Sequence, residues 1–132
     1  MPTTPTAVNV TRAMLLLIAL VVGVACGGST VAELSPEAEN GRRIANLKGC
    51  ASCHAADGSG GVGPKFVGLY GSNVTLSDGS TIVADDAYLR RSITEPAAEL
   101  VEGYTLTMPV GNLSDDELEA VLVYIRELAS TP

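Results

Sequence analysis

The sequence is poor in aromatic residues. It contains no Trp, one Phe and four Tyr, so aromatic residues make up 4% of the chain. Aromatic side chains bury large apolar areas, and a domain of about 100 residues with so few of them has a thin core. Small domains of this kind need a disulfide, a metal or a buried cofactor to be stable. We therefore expect a bound group to complete the core.

Basic residues are scarce as well. Eight Lys and Arg face 15 Asp and Glu, and the formal net charge is −7. An acidic chain is repelled by nucleic acid and by anionic lipid headgroups, so neither is an expected partner. The same charge is compatible with a protein partner whose docking surface is basic.

Histidine and cysteine are rare. His54 is the one histidine, and the three cysteines are Cys26, Cys50 and Cys53. An odd number of cysteines does not form a disulfide framework. Two of them lie in C-x-x-C spacing and the third is isolated, so two separate explanations are needed.

The beginning of the chain has the pattern of an export signal. An uninterrupted apolar run extends from Ala13 to Ala25 and follows Arg12. This is the length of the apolar part of a signal peptide, and it is shorter than the roughly 20 residues that span a membrane. We therefore predict a signal peptide over residues 1–25.

The isolated Cys26 follows small residues and precedes the flexible run Gly27-Gly28-Ser29-Thr30. This arrangement resembles a bacterial lipoprotein signal, in which the cysteine is lipidated and becomes the first mature residue, although Gly23 stands where that motif more often has Leu. Ordinary cleavage after Ala25 and an uncleaved anchor are the alternatives. We expect lipidation at Cys26, a tether over 26–34, and an exported domain over 35–132, anchored to the membrane on its periplasmic or extracytoplasmic side.

Local signals predict an all-α fold with long loops. Ser35-Pro36 begins a helix that extends to about Lys48, and Ser114 with Glu117 forms a capping box before the last helix. Between them, Asp85 or Asp86 caps a short helix through Ile93, and residues 55–73 form a glycine-rich loop. The turn Ser77-Asp78-Gly79-Ser80 predicts a small β-hairpin at 74–83.

The run Cys50-Ala51-Ser52-Cys53-His54 has the C-x-x-C-H pattern of c-type haem attachment. In this chemistry the two thiols add to the porphyrin vinyl groups, and the imidazole that follows becomes an axial ligand of the iron. A structural zinc site needs four ligands, and the chain offers no second histidine. A thioredoxin-like dithiol needs a preceding strand in an α/β pattern, which the sequence lacks. The motif therefore predicts one covalent haem.

A second motif, Gly58-x-Gly60-x-x-Gly63, matches the dinucleotide fingerprint. That fingerprint needs a strand before it and a helix that starts at its last glycine. Here the haem motif precedes it and Pro64 follows it, so we do not predict a dinucleotide site.

The other axial ligand is predicted by elimination. Met1 and Met14 belong to the export segment, which leaves Met108 as the one thioether of the mature chain. Pro109 favours an extended backbone at Met108, which suits a side chain presented to a ring. Met108 as core filler, a ligand from Lys48 or Lys65, and an open sixth position remain alternatives.

Residues 41–129 resemble a class I cytochrome c. The resemblance rests on the haem motif, on Gly-Pro-Lys-Phe-Val-Gly-Leu-Tyr-Gly at 63–71, on Met108-Pro109 and on the closing helix. More narrowly, the runs 76–79, 85–93 and 101–104 resemble the cytochrome c domain of subunit II of bacterial haem-copper oxidases. Since the sequence has no copper-binding domain, we expect a free-standing version. The resemblance implies three to four helices around one haem c.

The resemblance also implies roles for single residues. The carbonyl of Pro64 would accept a hydrogen bond from Nδ1 of His54 and fix its tautomer. The first and last helices would cross near Gly41, with Ile44 and Ala45 facing Leu122, Tyr124 or Ile125. A haem propionate would be bound by Tyr104, Arg90 or Arg91.

The function we expect is single-electron transfer in a respiratory chain, not catalysis. The expected partners are a quinol-oxidising complex as donor and a terminal oxidase as acceptor. Thioether ligation and burial raise the reduction potential, which suits delivery to an oxidase. The alternatives are a fixed haem subunit of a larger membrane complex and a haem sensor or peroxidase-like enzyme, which would need Met108 to dissociate.

Overall fold

The computed structural model of the chain describes residues 33–129. The predicted signal peptide, Cys26 and most of the predicted tether lie outside the described residues. Within them, no helix combines the length and the apolar character that crossing a membrane requires.

The described residues form four helices and one two-stranded antiparallel sheet. In chain order the elements are α1 (Pro36–Leu47), α2 (Ala51–His54), β1 (Asn73–Thr75), β2 (Thr81–Val83), α3 (Asp86–Thr94) and α4 (Asp115–Leu128). The predicted all-α architecture with a small hairpin at 74–83 is confirmed.

The longer helices begin at capping residues that the sequence identifies. The hydroxyl of Ser35 accepts a hydrogen bond from the Ala38 amide, and Pro36 occupies the first turn of α1. The carboxylate of Asp85 accepts from the Tyr88 amide at the start of α3. These side chains satisfy amide groups that have no partner within the helix.

Helix α4 begins with the predicted capping box. The Ser114 hydroxyl accepts from the Glu117 amide at 3.3 Å, and the Glu117 carboxylate accepts from the Ser114 amide at 2.9 Å. One face of the helix is buried and supplies much of the core: Leu118, Val121, Leu122, Tyr124, Ile125 and Leu128.

The hairpin connects the middle of the chain to the segment after α3. In the sheet Val74 pairs with Ile82, and Leu76 forms an isolated bridge with Val101. The Ser77 amide donates to the Leu100 carbonyl and the Glu102 amide donates to the Thr75 carbonyl. These bonds fix the start of the irregular segment that carries Met108.

Helices α1 and α4 cross in close contact at Gly41. A Cβ atom at Gly41 would lie 2.0 Å from the Ala120 carbonyl oxygen and 2.9 Å from Cβ of Tyr124. Ile44 and Ala45, on the same helix, are buried in the core that α4 lines. The expected crossing is therefore present, and it needs a residue without a side chain at position 41.

We predict that Gly41→Ala lowers the free energy of unfolding by about 3 kcal/mol, because the new methyl group forces the two helices apart. The higher helix propensity of Ala offsets only about 1 kcal/mol of this loss. Chemical denaturation measures the difference. The matched control is Asn40→Ala, the adjacent exposed position of α1, which should change stability by less than about 0.5 kcal/mol. Equal effects of the two substitutions would contradict the close crossing.

Candidate haem site

The two thiols and the imidazole of the attachment motif lie on one helical turn. The amide of Cys50 donates to the Ala45 carbonyl, which joins α2 directly to the end of α1. Within the turn, the amides of Cys53 and His54 both donate to the Cys50 carbonyl, at 3.2 and 3.0 Å. Both thiols are free and half-buried, and burial raises the pKa of the Cys50 thiol.

The chain reverses immediately after His54. Ala55 has φ 61° and ψ 156°, a combination that residues other than Gly rarely adopt and that costs about 1–3 kcal/mol. The loop that follows is bonded back onto the motif, because the Gly60 amide donates to the His54 carbonyl and the Gly63 amide to the Cys53 carbonyl. The glycine-rich segment therefore supports the position of His54.

Nδ1 of His54 donates a hydrogen bond to the Pro64 carbonyl oxygen at 2.6 Å. A carbonyl oxygen can only accept, so Nδ1 carries the proton and Nε2 holds the lone pair. His54 is 7% exposed. The contact expected between His54 and Pro64 is therefore present, and it selects the tautomer in which Nε2 can bind a metal.

A large cavity of about 870 Å³ adjoins this turn, and Cys50, Cys53, His54 and Met108 all line it. Most of its lining is apolar, including Leu89, Ile93, Val121 and Ile125. Met108 is half-buried in the irregular segment between α3 and α4. The structure thus brings Met108, more than 50 residues away along the sequence, to the same cavity as His54.

The basic residues near the cavity differ in their hydrogen bonds and ion pairs. Lys48 and Lys65 both line the cavity and are both exposed. Nζ of Lys48 donates to Glu117 at 2.8 Å and to the Asn112 carbonyl at 3.2 Å. Of the three side chains expected at a propionate, Tyr104 lines the cavity. Arg90 is instead paired with Glu119 at 2.7 Å and Arg91 with Glu99 at 2.8 Å, and neither guanidinium belongs to the cavity lining.

Two comparisons match this chain to known proteins. The family model described as Cytochrome c matches residues 38–129. Cytochrome c2 iso-1 of Magnetospirillum molischianum is 31% identical over 88 residues, a match that covers 58% of this chain and 87% of that protein.

The chain belongs to the cytochrome c family.

Membership of the cytochrome c family implies a covalently bound haem c and a role in electron transfer rather than catalysis. The residues of this chain fit that group. The cavity is within the size range of cofactor pockets, about 300–1,000 Å³, and its lining is apolar with a few polar groups. The thiols have the attachment spacing and adjoin a histidine whose Nδ1 is bonded to the Pro64 carbonyl, which leaves Nε2 as the nitrogen that would bind a metal. Within residues 33–129, no cluster of three or more His, Cys, Asp and Glu side chains could hold a metal ion by itself.

Gly63 is a further residue on which the cytochrome site depends. A Cβ atom at Gly63 would lie 2.8 Å from Cε1 of His54 and 3.1 Å from Nδ1. Real Cβ atoms do not approach ring atoms so closely, so a side chain at position 63 must displace the imidazole or the loop.

We predict that Gly63→Ala lowers the fraction of purified protein that carries covalent haem, because His54 can no longer occupy its position against the loop. Haem staining normalised to total protein measures this fraction. Gly71→Ala is the control, since Gly71 does not line the cavity and a Cβ atom there meets no atom within 4 Å, although its φ of +77° makes the substitution strained. A haem content for Gly63→Ala equal to that of the control would show that His54 tolerates the added methyl group.

Proposed function

We propose that this member of the cytochrome c family is a membrane-tethered, monohaem carrier of single electrons in a respiratory chain. In this proposal Cys50 and Cys53 form the thioether bonds, and His54 and Met108 are the axial ligands. One observation carries it: a single cavity gathers both attachment thiols, the one histidine of the sequence and the one methionine of the described residues.

The arrangement around His54 supports its role as a strong axial ligand. The Pro64 carbonyl holds the Nδ1 proton at 2.6 Å, which orients the ring and increases the basicity of Nε2. The short helix α2 fixes the distance between the ligand and both thiols, because all three side chains belong to one turn.

The hydrogen bonds of Lys48 and the exposure of Lys65 support Met108 as the other ligand. Binding through Lys48 would require its ammonium group to leave both Glu117 and the Asn112 carbonyl, and then to lose a proton. Lys65 also lines the cavity, but it is an exposed residue there. Met108 already lies half-buried at the cavity. Pro109 has no amide N–H to donate, which disfavours a helix at this segment.

A haem iron with both axial positions filled by protein supplies reversible one-electron transfer between its ferrous and ferric states. The chain's own contribution is to attach the group, exclude water from it and hold the two ligands in place. The thioether of Met108 and the apolar lining would stabilise the reduced state relative to a site with a water or nitrogen ligand.

The charge distribution supports a partner with a basic surface. Five basic side chains are each paired with a carboxylate, namely Arg42, Lys48, Arg90, Arg91 and Arg126. These pairs leave an excess of acidic groups at the surface, so long-range attraction should guide a positively charged redox partner. A quinol-oxidising complex as donor and a terminal oxidase as acceptor remain the partners we propose.

The substitution Met108→Ala tests the ligand assignment. We expect it to remove the weak far-red sulfur-to-iron band of the ferric protein, to lower the reduction potential, and to let the ferrous protein bind carbon monoxide. Visible spectroscopy and potentiometry measure these changes. The protein should remain folded, because the α1–α4 contact does not involve Met108.

Thr105→Ala is the matched control for Met108→Ala. Thr105 is an exposed residue of the same irregular segment and is not part of the cavity lining, so its substitution should leave the far-red band and the potential unchanged. If Met108→Ala keeps the wild-type spectrum, the sixth ligand is a different group.

The membrane tether is proposed from the sequence around Cys26. Two features support it: the apolar run that ends at Ala25, and the small and flexible residues on either side of the cysteine. A lipid on Cys26 would restrict the carrier to diffusion along the membrane surface on the extracytoplasmic side.

We predict that Cys26→Ser abolishes acylation and stops cleavage by lipoprotein signal peptidase. Mass spectrometry of the N-terminal peptide and labelling with a fatty-acid analogue detect the lipid. Cys26→Ser should leave the haem spectrum intact, since the haem cysteines are separate residues. A wild-type N-terminal peptide without an acyl group would contradict lipidation.

A further inference from the structure

Phe66, the single phenylalanine of the sequence, stacks on the imidazole of His54. The two ring centroids are 4.4 Å apart and the planes are inclined by 20°. Aromatic pairs in this range contribute about 0.5–1.5 kcal/mol beyond the area they bury. The contact is therefore strong enough to favour one orientation of the imidazole.

Gly63 contacts the imidazole on a face as well. The Cβ position at Gly63 is 2.8 Å from Cε1, and 3.1 and 3.2 Å from Nδ1 and Nε2. Because these three distances are nearly equal, the Gly63 Cβ position lies above the plane of the imidazole. A point in that plane beyond Cε1 would be clearly farther from Nδ1 and Nε2 than from Cε1.

Phe66 and Gly63 lie on opposite faces of the ring. The three atoms nearest to the Gly63 Cβ position all belong to His54, the farthest being Nε2 at 3.2 Å. If Phe66 stacked on the same face as Gly63, one of its ring atoms would lie closer to that position than 3.2 Å. The imidazole is therefore enclosed between the Phe66 ring and the Gly63 backbone, while Pro64 fixes its Nδ1 edge.

Phe66 is itself held in place. Its amide donates to the Gly58 carbonyl at 2.7 Å, and its side chain is 8% exposed. The buried ring of Tyr124 meets Phe66 edge-on, with centroids 6.3 Å apart and planes at 88°. The position of Phe66 thus depends on α4, which carries Tyr124.

We infer that Phe66 is a positioning residue that sets the plane of the His54 imidazole. Together with Gly63 it prevents the ring from rotating about the axis that the Pro64 hydrogen bond leaves free. The inference rests on the proposed role of His54 as an axial ligand, because the orientation of an axial imidazole determines the unpaired spin distribution over a ferric haem.

The test uses the full-length ferric holoprotein with isotope-labelled histidine. Since His54 is the one histidine, every labelled resonance reports on it. Strongly hyperfine-shifted imidazole signals in the wild-type protein establish His54 as a ligand, and their absence would overturn the proposed function rather than the role of Phe66. The haem methyl shifts of the same sample record the orientation of the imidazole.

Phe66→Leu removes the stacked ring and keeps an apolar side chain. We expect a redistribution of the haem methyl shifts and a shift of the labelled imidazole resonances, with His54 still bound. Phe66→Tyr restores an aromatic ring and should return the wild-type pattern. Ile44→Ala is the stability control, because Ile44 belongs to the core but not to the cavity lining, and it should destabilise the fold while keeping the wild-type shifts.

Two results would overturn the inference. One is an unchanged pattern of methyl shifts in Phe66→Leu. The other is the same redistribution in Ile44→Ala as in Phe66→Leu, since the effect would then reflect general loosening of the domain and not the loss of the stacked ring.

Discussion

The hydrogen bond from Nδ1 of His54 to the Pro64 carbonyl is the interaction on which the rest of the site depends. It joins the short helix α2 to the middle of the glycine-rich loop. The loop can return to His54 only because Ala55 adopts a positive φ and because Gly63 leaves room beside the ring. Without this bond the imidazole would have no fixed tautomer, and only the Phe66 ring and the Gly63 backbone would restrict its orientation.

Contacts from the helical core also support this loop. Helix α4 crosses α1 at Gly41 and presents Tyr124, which meets Phe66, and Phe66 in turn meets His54. In the described residues the hydroxyl of Tyr124 is buried without a hydrogen-bond partner, and its ring meets Phe66 edge-on. A series of contacts thus connects the α1–α4 crossing, through Tyr124 and Phe66, to the proposed ligand His54.

Much of this structure is predictable from the sequence because its signals are local. The caps at Ser35, Asp85 and Ser114 begin helices through bonds to amides three residues later, and each helix is present. The attachment motif is similarly local, since one helical turn sets its geometry. The fold class could be inferred from these elements together with the resemblance to class I cytochromes.

The remaining features depend on contacts that residue types alone do not specify. The strained backbone at Ala55 carries no sequence signal, because alanine is typical of helices and not of positive φ. The stacking of Phe66 on His54 depends on the conformation of the loop between them. The partners of Arg90 and Arg91 were also not predictable, since exposed arginines pair with whichever carboxylate the fold brings near, here Glu119 and Glu99.

We propose that the cavity holds one haem whose axial positions are both filled by this chain, as an electron carrier requires. Potentiometric titration of the wild-type, full-length holoprotein, with and without carbon monoxide, tests it most directly. The account predicts a single one-electron wave that carbon monoxide does not move. A wave that shifts to higher potential under carbon monoxide would reveal an open iron site and contradict the account.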